Sequence, residues 1–414
     1  MPAQPNGFPW PSDGRICAAD AESEGSSIPA RPLVAYVHVP FCIRRCGYCD
    51  FNTYTTGFGK GADLATYAQS VLREIELSAK ILEGAGAAQR PLQSIFFGGG
   101  TPSLMEPADV GRMINALVDA HQVAPGAEVT LEANPETLTA AKIRAFADAG
   151  VNRISMGMQS AVPRVLGVLE RAHNPDTVPW ALSQVKDAGL KASVDLIYGA
   201  PTETLEEWDT TLDSALSTGV DHISAYSLIV EPGTRMAAQI GRGELPPTDP
   251  DLDADKYVLA SQKLEAHGLH WYEISNFARA PADRSIHNLA YWRDWDWWGY
   301  GPGAHSHVGR LRWWNVKHPT AYAGRLRQGA SPGAAGERLG EEERKLERLM
   351  LGIRTVEGIS VRQTFDPNTI ESLVEEGLVE IRPRAGTGEP HLVLTLAGRL
   401  VADRVTRVLA GWGA

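Results

Sequence analysis

From residue 33 to residue 228 the chain alternates short apolar runs with longer stretches whose apolar residues recur every three to four positions. The runs "LVAYVHV" (33–39), "SIFFGG" (94–99), "EVTLEA" (128–133), "VNRISMGM" (151–158), "KASVDLIYG" (191–199) and "DHISAYSL" (221–228) predict buried strands. Helical periodicity falls at 63–83, 107–121, 138–149, 177–189 and 204–218. Several of these stretches run into "ADAGV", "KDAGL" or "LSTGV", where glycine stops a helix just ahead of the next apolar run. Strand–helix alternation with apolar strands predicts a parallel sheet covered by helices. Six such units fall short of the eight of a closed (β/α) barrel, so an open, partial (β/α)6 barrel is expected.

The alternation stops at residue 229. The loop "EPGTRMAAQIGRGELPPTDPD", a helix near 252–267 and a tryptophan-rich stretch fill 229–335, read as a connector. Residues 336–414 hold short helices, two short strands and a last helix, an order similar to a winged-helix module. That shape can bind DNA, but many acids here favour a packing role. Residues 1–32 are rich in Pro, Gly, Ser, Ala and acids, without periodic apolar positions, and predict a mobile tail. The expected segments are therefore a tail (1–32), a core (33–228), a connector (229–335) and a C-terminal helical module (336–414).

Charge and cysteine usage narrow the chemistry. The formal net charge is −11, which argues against broad contact with a phosphate backbone and hence against nucleic acid as a partner. No run approaches the roughly 18 apolar residues of a membrane helix, and the N-terminus lacks a secretory pattern. A cytoplasmic protein with reduced thiols is expected. Of four cysteines, Cys17 stands alone in the tail and reads as a solitary thiol. The other three, Cys42, Cys46 and Cys49, crowd into "YVHVPFCIRRCGYCDF" as C-x3-C-x2-C. Thiolates suit zinc or an iron–sulfur cluster. Zinc would need a fourth ligand, and His38 is the candidate. A cubane on three cysteines instead leaves one iron without a protein ligand, open for chemistry. The loop after a first strand lies at the carboxyl mouth of the sheet, where α/β folds place their sites.

The spacing is the radical S-adenosylmethionine (SAM) signature. The ordered motifs "YVHVPFC", "CGYC", "FFGGGTPS", "LEANPE", "SMGMQS", "LERAHN", "VDLIYGAP", "EPGT" and "GYGPGAHS" make a closer match. From residue 33 to the C-terminus the chain resembles the oxygen-independent coproporphyrinogen III dehydrogenase (HemN-like) family, which includes a haem-chaperone branch. The resemblance implies an opened (β/α)6 barrel with a C-terminal helical domain and a [4Fe-4S] cluster on Cys42, Cys46 and Cys49. It places Tyr36, Tyr48, Gly99, Gly100, Thr101, Glu132, Gln159, Arg171 and Asp195 at SAM-binding positions. Their chemistry is suitable. Glu132 and Asp195 accept hydrogen bonds from an amino group or ribose hydroxyls, and Arg171 pairs with a carboxylate. Glycines in "GGGTP" permit close backbone approach to a ligand.

Two features divide the family. The decarboxylating members carry a further cysteine two residues after the third cluster cysteine, where this chain has Phe51, and an N-terminal active-site segment that this tail does not resemble. The stretch "HNLAYW" (287–292) matches the HNxxYW motif of the chaperone branch. By that motif His287 is an axial haem ligand, with Tyr291 and Trp292 offering flat area to a porphyrin face. The tryptophans between Trp292 and Trp314 read as a packed aromatic core. The resemblance thus implies haem as cargo, an unidentified acceptor protein of respiratory, membrane-associated type, an electron donor for the cluster, and a homodimer among the allowed states. Coproporphyrinogen decarboxylation is expected to be absent. His287 is far from the cysteines in sequence, so its loss is expected to spare the cluster.

Overall fold

A computed structural model describes residues 6–21, 31–55, 63–87, 90–171, 173–362, 365–384 and 386–412. The expected strands form as β1 (Leu33–Val39), β2 (Leu92–Gly99), β3 (Val123–Ala133), β4 (Arg153–Gln159), β5 (Lys191–Tyr198) and β6 (His222–Ser227). Each pairs in parallel with the next. Between them lie α1 (Leu64–Gly84), α2 (Pro107–His121), α3 (Ala140–Asp148), α4 (Thr177–Asp187) and α5 (Leu205–Ser217). Positive φ at Gly150 (103°), Gly189 (74°) and Gly219 (64°) explains the three helix-stopping glycines. The extra helix Pro163–Val168 is too short to leave a periodic signal.

The hydrogen-bonded order of the sheet is open. Beyond β6 it ends with the hairpin Asn276–Ala278 and His270–Glu273. On the other side Asp296–Tyr300 pairs in parallel with β1. His305–Val308, Leu311–Asn315 and Gly333–Arg338 follow, antiparallel to one another. The tryptophan-rich stretch, read as part of a connector, is therefore largely strand. Trp298 and Trp313 are buried in the main core. Most positions of Asp296–Tyr300, His305–Val308 and Leu311–Asn315 are buried in succession, so the period-two alternation that marks a strand is missing.

Residues 6–21 are not a mobile tail. Phe8–Pro9 adds an antiparallel edge to Gly333–Arg338, and Trp10 stacks on Trp313 with ring centroids 4.8 Å apart. Gly333 and Gly336 make the room: a Cβ there would meet the Trp10 ring at 2.2 and 2.7 Å. Arg338 grips both carboxylate oxygens of Asp20, at 2.8 and 2.6 Å. Cys17, a free and exposed thiol, donates to Asp20 Oδ2 at 2.9 Å. One aromatic anchor and one bidentate ion pair order this segment, and composition registers neither. Residues 1–5 and 22–30 of the expected tail lie outside the described residues.

The C-terminal module runs helix Glu341–Gly352, strand Ile359–Ser360, helix Pro367–Glu375, strands Val379–Pro383 and Pro390–Leu394, and helices Leu396–Leu400 and Ala402–Leu409. Its three strands make a separate sheet over their own core of Leu349, Ile353, Leu373, Leu392 and Val405. Among the described residues no helix is long and apolar enough to cross a membrane.

Local capping supports the barrel helices. At the start of α5 the Thr204 hydroxyl accepts from the Glu207 N–H at 3.2 Å and Glu207 accepts from the Thr204 N–H at 3.0 Å, a reciprocal box. The helix then buries Trp208, Leu212 and Ala215 against the sheet. Thr204→Ala is expected to lower stability by about 1 kcal/mol. A denaturant midpoint unchanged from the parent would contradict that account.

Candidate functional site

The carboxyl ends of β1–β6 surround a cavity of about 550 Å3. Cys42, Cys46, Tyr48 and Cys49 line it on one side, with Tyr36 from β1 and Gly99, Gly100 and Thr101 from the end of β2. Glu132, Gln159, Arg171, Asp195 and His287 line the remainder. Every residue singled out in the sequence as a cluster, SAM or haem contact, Trp292 excepted, therefore faces this one space. None of the described residues 6–21 does.

The cysteine loop is fastened to the glycine turn. Phe41–Cys42 pairs in parallel with Tyr54–Thr55. The Gly100 N–H donates to Val39 O at 2.8 Å and the Thr101 N–H to Phe41 O at 2.7 Å. Gly99 has φ 109°, and a Cβ on it would sit 2.5 Å from the His38 ring; one on Gly100 would sit 2.6 Å from Phe41 O. At these two positions the absent side chain lets the protein pack against itself, whereas the sequence alone suggested ligand approach. Burial pushes the Cys42 thiol up to about 11, so a metal's charge is what would favour its thiolate. Arg171 Nη1 points at Cys46 Sγ from 3.6 Å, and Arg45 Nη2 donates to Cys49 O at 3.0 Å.

The zinc alternative loses its fourth ligand. His38 Nε2 lies 3.0 Å from Asn52 O, which can only accept, so Nε2 carries the proton. Nδ1, 3.0 Å from the Tyr36 hydroxyl, is then the acceptor and has no lone pair to spare. Among the described residues no three His, Cys, Asp or Glu side chains converge on one ion position. A cubane takes each thiolate at a separate corner and does not require convergence. Three soft thiolates beside a guanidinium suit such a cluster.

The strand ends are polar. Glu132 is half-buried, accepts from the Gly99 N–H at 3.1 Å, and is pushed up to about 8 by burial and by Asp195. Burial also raises Asp195, which accepts from Ser155 Oγ at 2.8 Å. Two neighbouring half-buried acids resist joint ionisation, so this wall favours a ligand that brings positive charge or hydroxyl donors. Arg171 Nη2 donates to Asn134 Oδ1 at 2.7 Å and to Gly157 O at 3.2 Å. Gln159, at φ 58°, leaves Oε1 buried without a partner, as Arg171 leaves Nε. These orphaned atoms fit a polar ligand such as SAM. Asn134, Ser155, Ser193 and Ser224 also line the space; Asn134 and Ser155 occur within the quoted motifs but were not singled out, and Ser193 and Ser224 fall outside them. A serine in the middle of an apolar strand, as in "RISMGMQ", "KASVDLIY" and "HISAYS", is the signal that could have found three of them.

His287 arrives on the short helix α6 (Ile286–Trp292). The Glu128 carboxylate holds its first turn, accepting from the Ile286 and His287 N–H groups at 3.2 Å each, while Arg153 pairs with Glu128 at 3.2 Å. The imidazole is buried and stacks on Phe96 at 4.7 Å. Nδ1 lies 2.8 Å from Ser94 Oγ and Nε2 3.0 Å from the Tyr291 hydroxyl. Burial lowers its pKa to about 3, so the ring is neutral. Tyr291 lines the cavity, but Trp292 does not; its indole meets the Glu273 carboxylate instead. The reason is helical geometry: residues four apart share a face, and adjacent residues diverge. His287, far from the cysteines in sequence, shares their cavity. Phe51, 56% exposed, also lines the cavity.

An open parallel barrel with three cysteines on the loop after β1 defines a radical SAM protein, and the model of the Radical SAM superfamily matches residues 36–215. The chain is 40% identical over 387 residues to the heme chaperone HemW of Mycobacterium tuberculosis (strain CDC 1551 / Oshkosh), covering 93% of this chain and 96% of that protein. It is 32% identical over 391 residues to the heme chaperone HemW of Bacillus subtilis (strain 168), covering 91% and 99%. The chain belongs to the HemW family. The coproporphyrinogen III oxidase (HemN) from Escherichia coli, a radical SAM enzyme, superposes with a TM-score of 0.76 over 94% of this chain and 92% of that one. At 22% identity this likeness shows the fold alone.

Proposed function

We propose that the protein is a haem chaperone, which has sites for haem, for a [4Fe-4S] cluster and for SAM, and hands haem to an acceptor protein. The observation that carries this reading is the neutral His287 imidazole facing the cysteine-lined cavity, in a chain whose relatives are named heme chaperones. Cys42, Cys46 and Cys49 would hold the cluster, which when bound offers an open iron to the amino and carboxylate groups of SAM. Arg171 and Gln159 would take the carboxylate end, and Glu132 and Asp195 the ammonium or ribose hydroxyls. Tyr36, Tyr48, Gly99, Gly100 and Thr101 would shape the same pocket.

For haem, the Ser94 hydroxyl would fix the imidazole through Nδ1, leaving Nε2 for iron once the Tyr291 hydroxyl turns away. This is the second-partner arrangement usual for metal-binding histidines. Arg44 and Arg45 line the cavity together with Phe51 and the 71% exposed Ile229. Guanidiniums beside apolar surface suit a flat ring bearing carboxylates. Decarboxylation is disfavoured: Phe51 stands at the added-cysteine position, and residues 6–21 pack on the far sheet edge. The proposal extends to the expected segments 33–228, 229–335 and 336–414 as working units, to an electron donor for the cluster, and to a respiratory, membrane-associated haem acceptor.

The test is haem binding by the reconstituted protein. One haem per chain with a shifted Soret band is expected. His287→Ala should move that band and weaken haem retention tenfold or more, with cluster iron unchanged. Coproporphyrinogen III should not be decarboxylated. Turnover of that substrate, with haem binding indifferent to His287, would overturn the reading.

A further inference from the structure

We infer that haem on His287 and SAM at the strand ends exclude one another, so that SAM acts as the unloading signal of the carrier. The inference rests on the haem reading above and concerns the approach to one atom, His287 Nε2. The imidazole is buried and held by its neighbours. Nδ1 is held by Ser94, the ring face by Phe96 at 4.7 Å, and the backbone below by Glu128 and Arg153. Nε2 faces the Tyr291 hydroxyl.

Tyr291 borders the same cavity as the residues placed at SAM positions. The Tyr36 ring lies 6.2 Å from the His287 ring, and after burial the Glu132 and Tyr291 groups are what push its phenol upward. Glu132 likewise raises the Tyr291 phenol after burial. Tyr36, Glu132, Tyr291 and His287 therefore border one volume. An iron that reaches Nε2 must displace the Tyr291 hydroxyl and bring its macrocycle into the space beside Tyr36 and Glu132. The whole cavity measures about 550 Å3. Pockets of roughly 300–1,000 Å3 hold one drug-sized ligand. A porphyrin and a SAM molecule cannot both use the same wall of it.

The experiment uses the full-length, cluster-loaded protein and two binding readouts. Haem is titrated by its Soret band at increasing SAM. The apparent haem dissociation constant should rise in proportion to free SAM, about tenfold when SAM stands tenfold above its own dissociation constant, and by reciprocity added haem should release labelled SAM in dialysis. Tyr291→Phe, which removes the hydroxyl over Nε2, should tighten haem binding and keep the competition. Haem binding that depends on His287 yet ignores saturating SAM would overturn the inference and leave the chaperone reading standing. Haem binding unaffected by His287→Ala would fell that reading itself.

Discussion

Anaerobically reconstituted Cys49→Ala protein is expected to hold no cubane, against about four irons and four sulfides per chain in the parent. The same loss is expected for Cys42→Ala and Cys46→Ala. Each cysteine supplies one of three protein thiolates, and among the described residues no further Cys, His, Asp or Glu converges with them on one ion position. His38 is engaged through both ring nitrogens, by Tyr36 and Asn52. Cys17 sits with Asp20 and Arg338 beside the far edge of the sheet. Cys17→Ala should therefore retain a full cluster. Iron and acid-labile sulfide analysis checks the outcome, with circular dichroism to confirm that the buried Cys42 position still folds after truncation. A full complement of iron in Cys49→Ala would sink the assignment of these thiols as the cluster ligands.

The barrel was legible because its signals are local. Apolar runs and glycine stops place each strand and helix within a few residues, and the cysteine spacing marks the mouth of the sheet. The docked N-terminal segment was not legible, since Trp10 finds its partner Trp313 some three hundred residues away. A single aromatic in a Pro- and Gly-rich stretch carries no period. The strands of the tryptophan-rich region were hidden for the opposite reason, being buried at most successive positions. At the site, the motifs gave residue types but not directions. Only the structure shows that Trp292 turns from the cavity, that Gly99 and Gly100 accommodate His38 and Phe41, and that His287 sits beside Tyr36. Motif spacing records which residues occur together, whereas helix phase and strand register decide which of them meet.

Lys256→Met should cost about 3–5 kcal/mol of stability, because it leaves a carboxylate buried without its partner. Lys256 Nζ lies 3.1 Å from Glu203 Oε2 with the two side chains 1% and 0% exposed. It also donates to Glu203 O at 2.9 Å, while Glu203 accepts from the Gly199 N–H at 2.8 Å. The pair clamps the turn that follows β5, the strand carrying Asp195 and Ile197 into the cavity, to the helix Pro250–Ala266. Burial raises the Glu203 pKa above its ordinary 4.5, and Lys256 is the main opposing influence. Without the lysine, the folded protein keeps a proton that the unfolded chain releases above about 4.5. Where the folded state binds more protons, stability falls as pH rises. The variant should therefore stand closer to the parent at acidic pH than at alkaline pH. Lys256→Met with Glu203→Leu removes both charges and should recover most of the loss, as replacing a whole buried pair by apolar groups often does. Denaturant titrations of the parent, both single variants and the double variant at two pH values decide the matter. A loss below about 1 kcal/mol in Lys256→Met, with no pH dependence, would show that water reaches Glu203 and that the clamp contributes little.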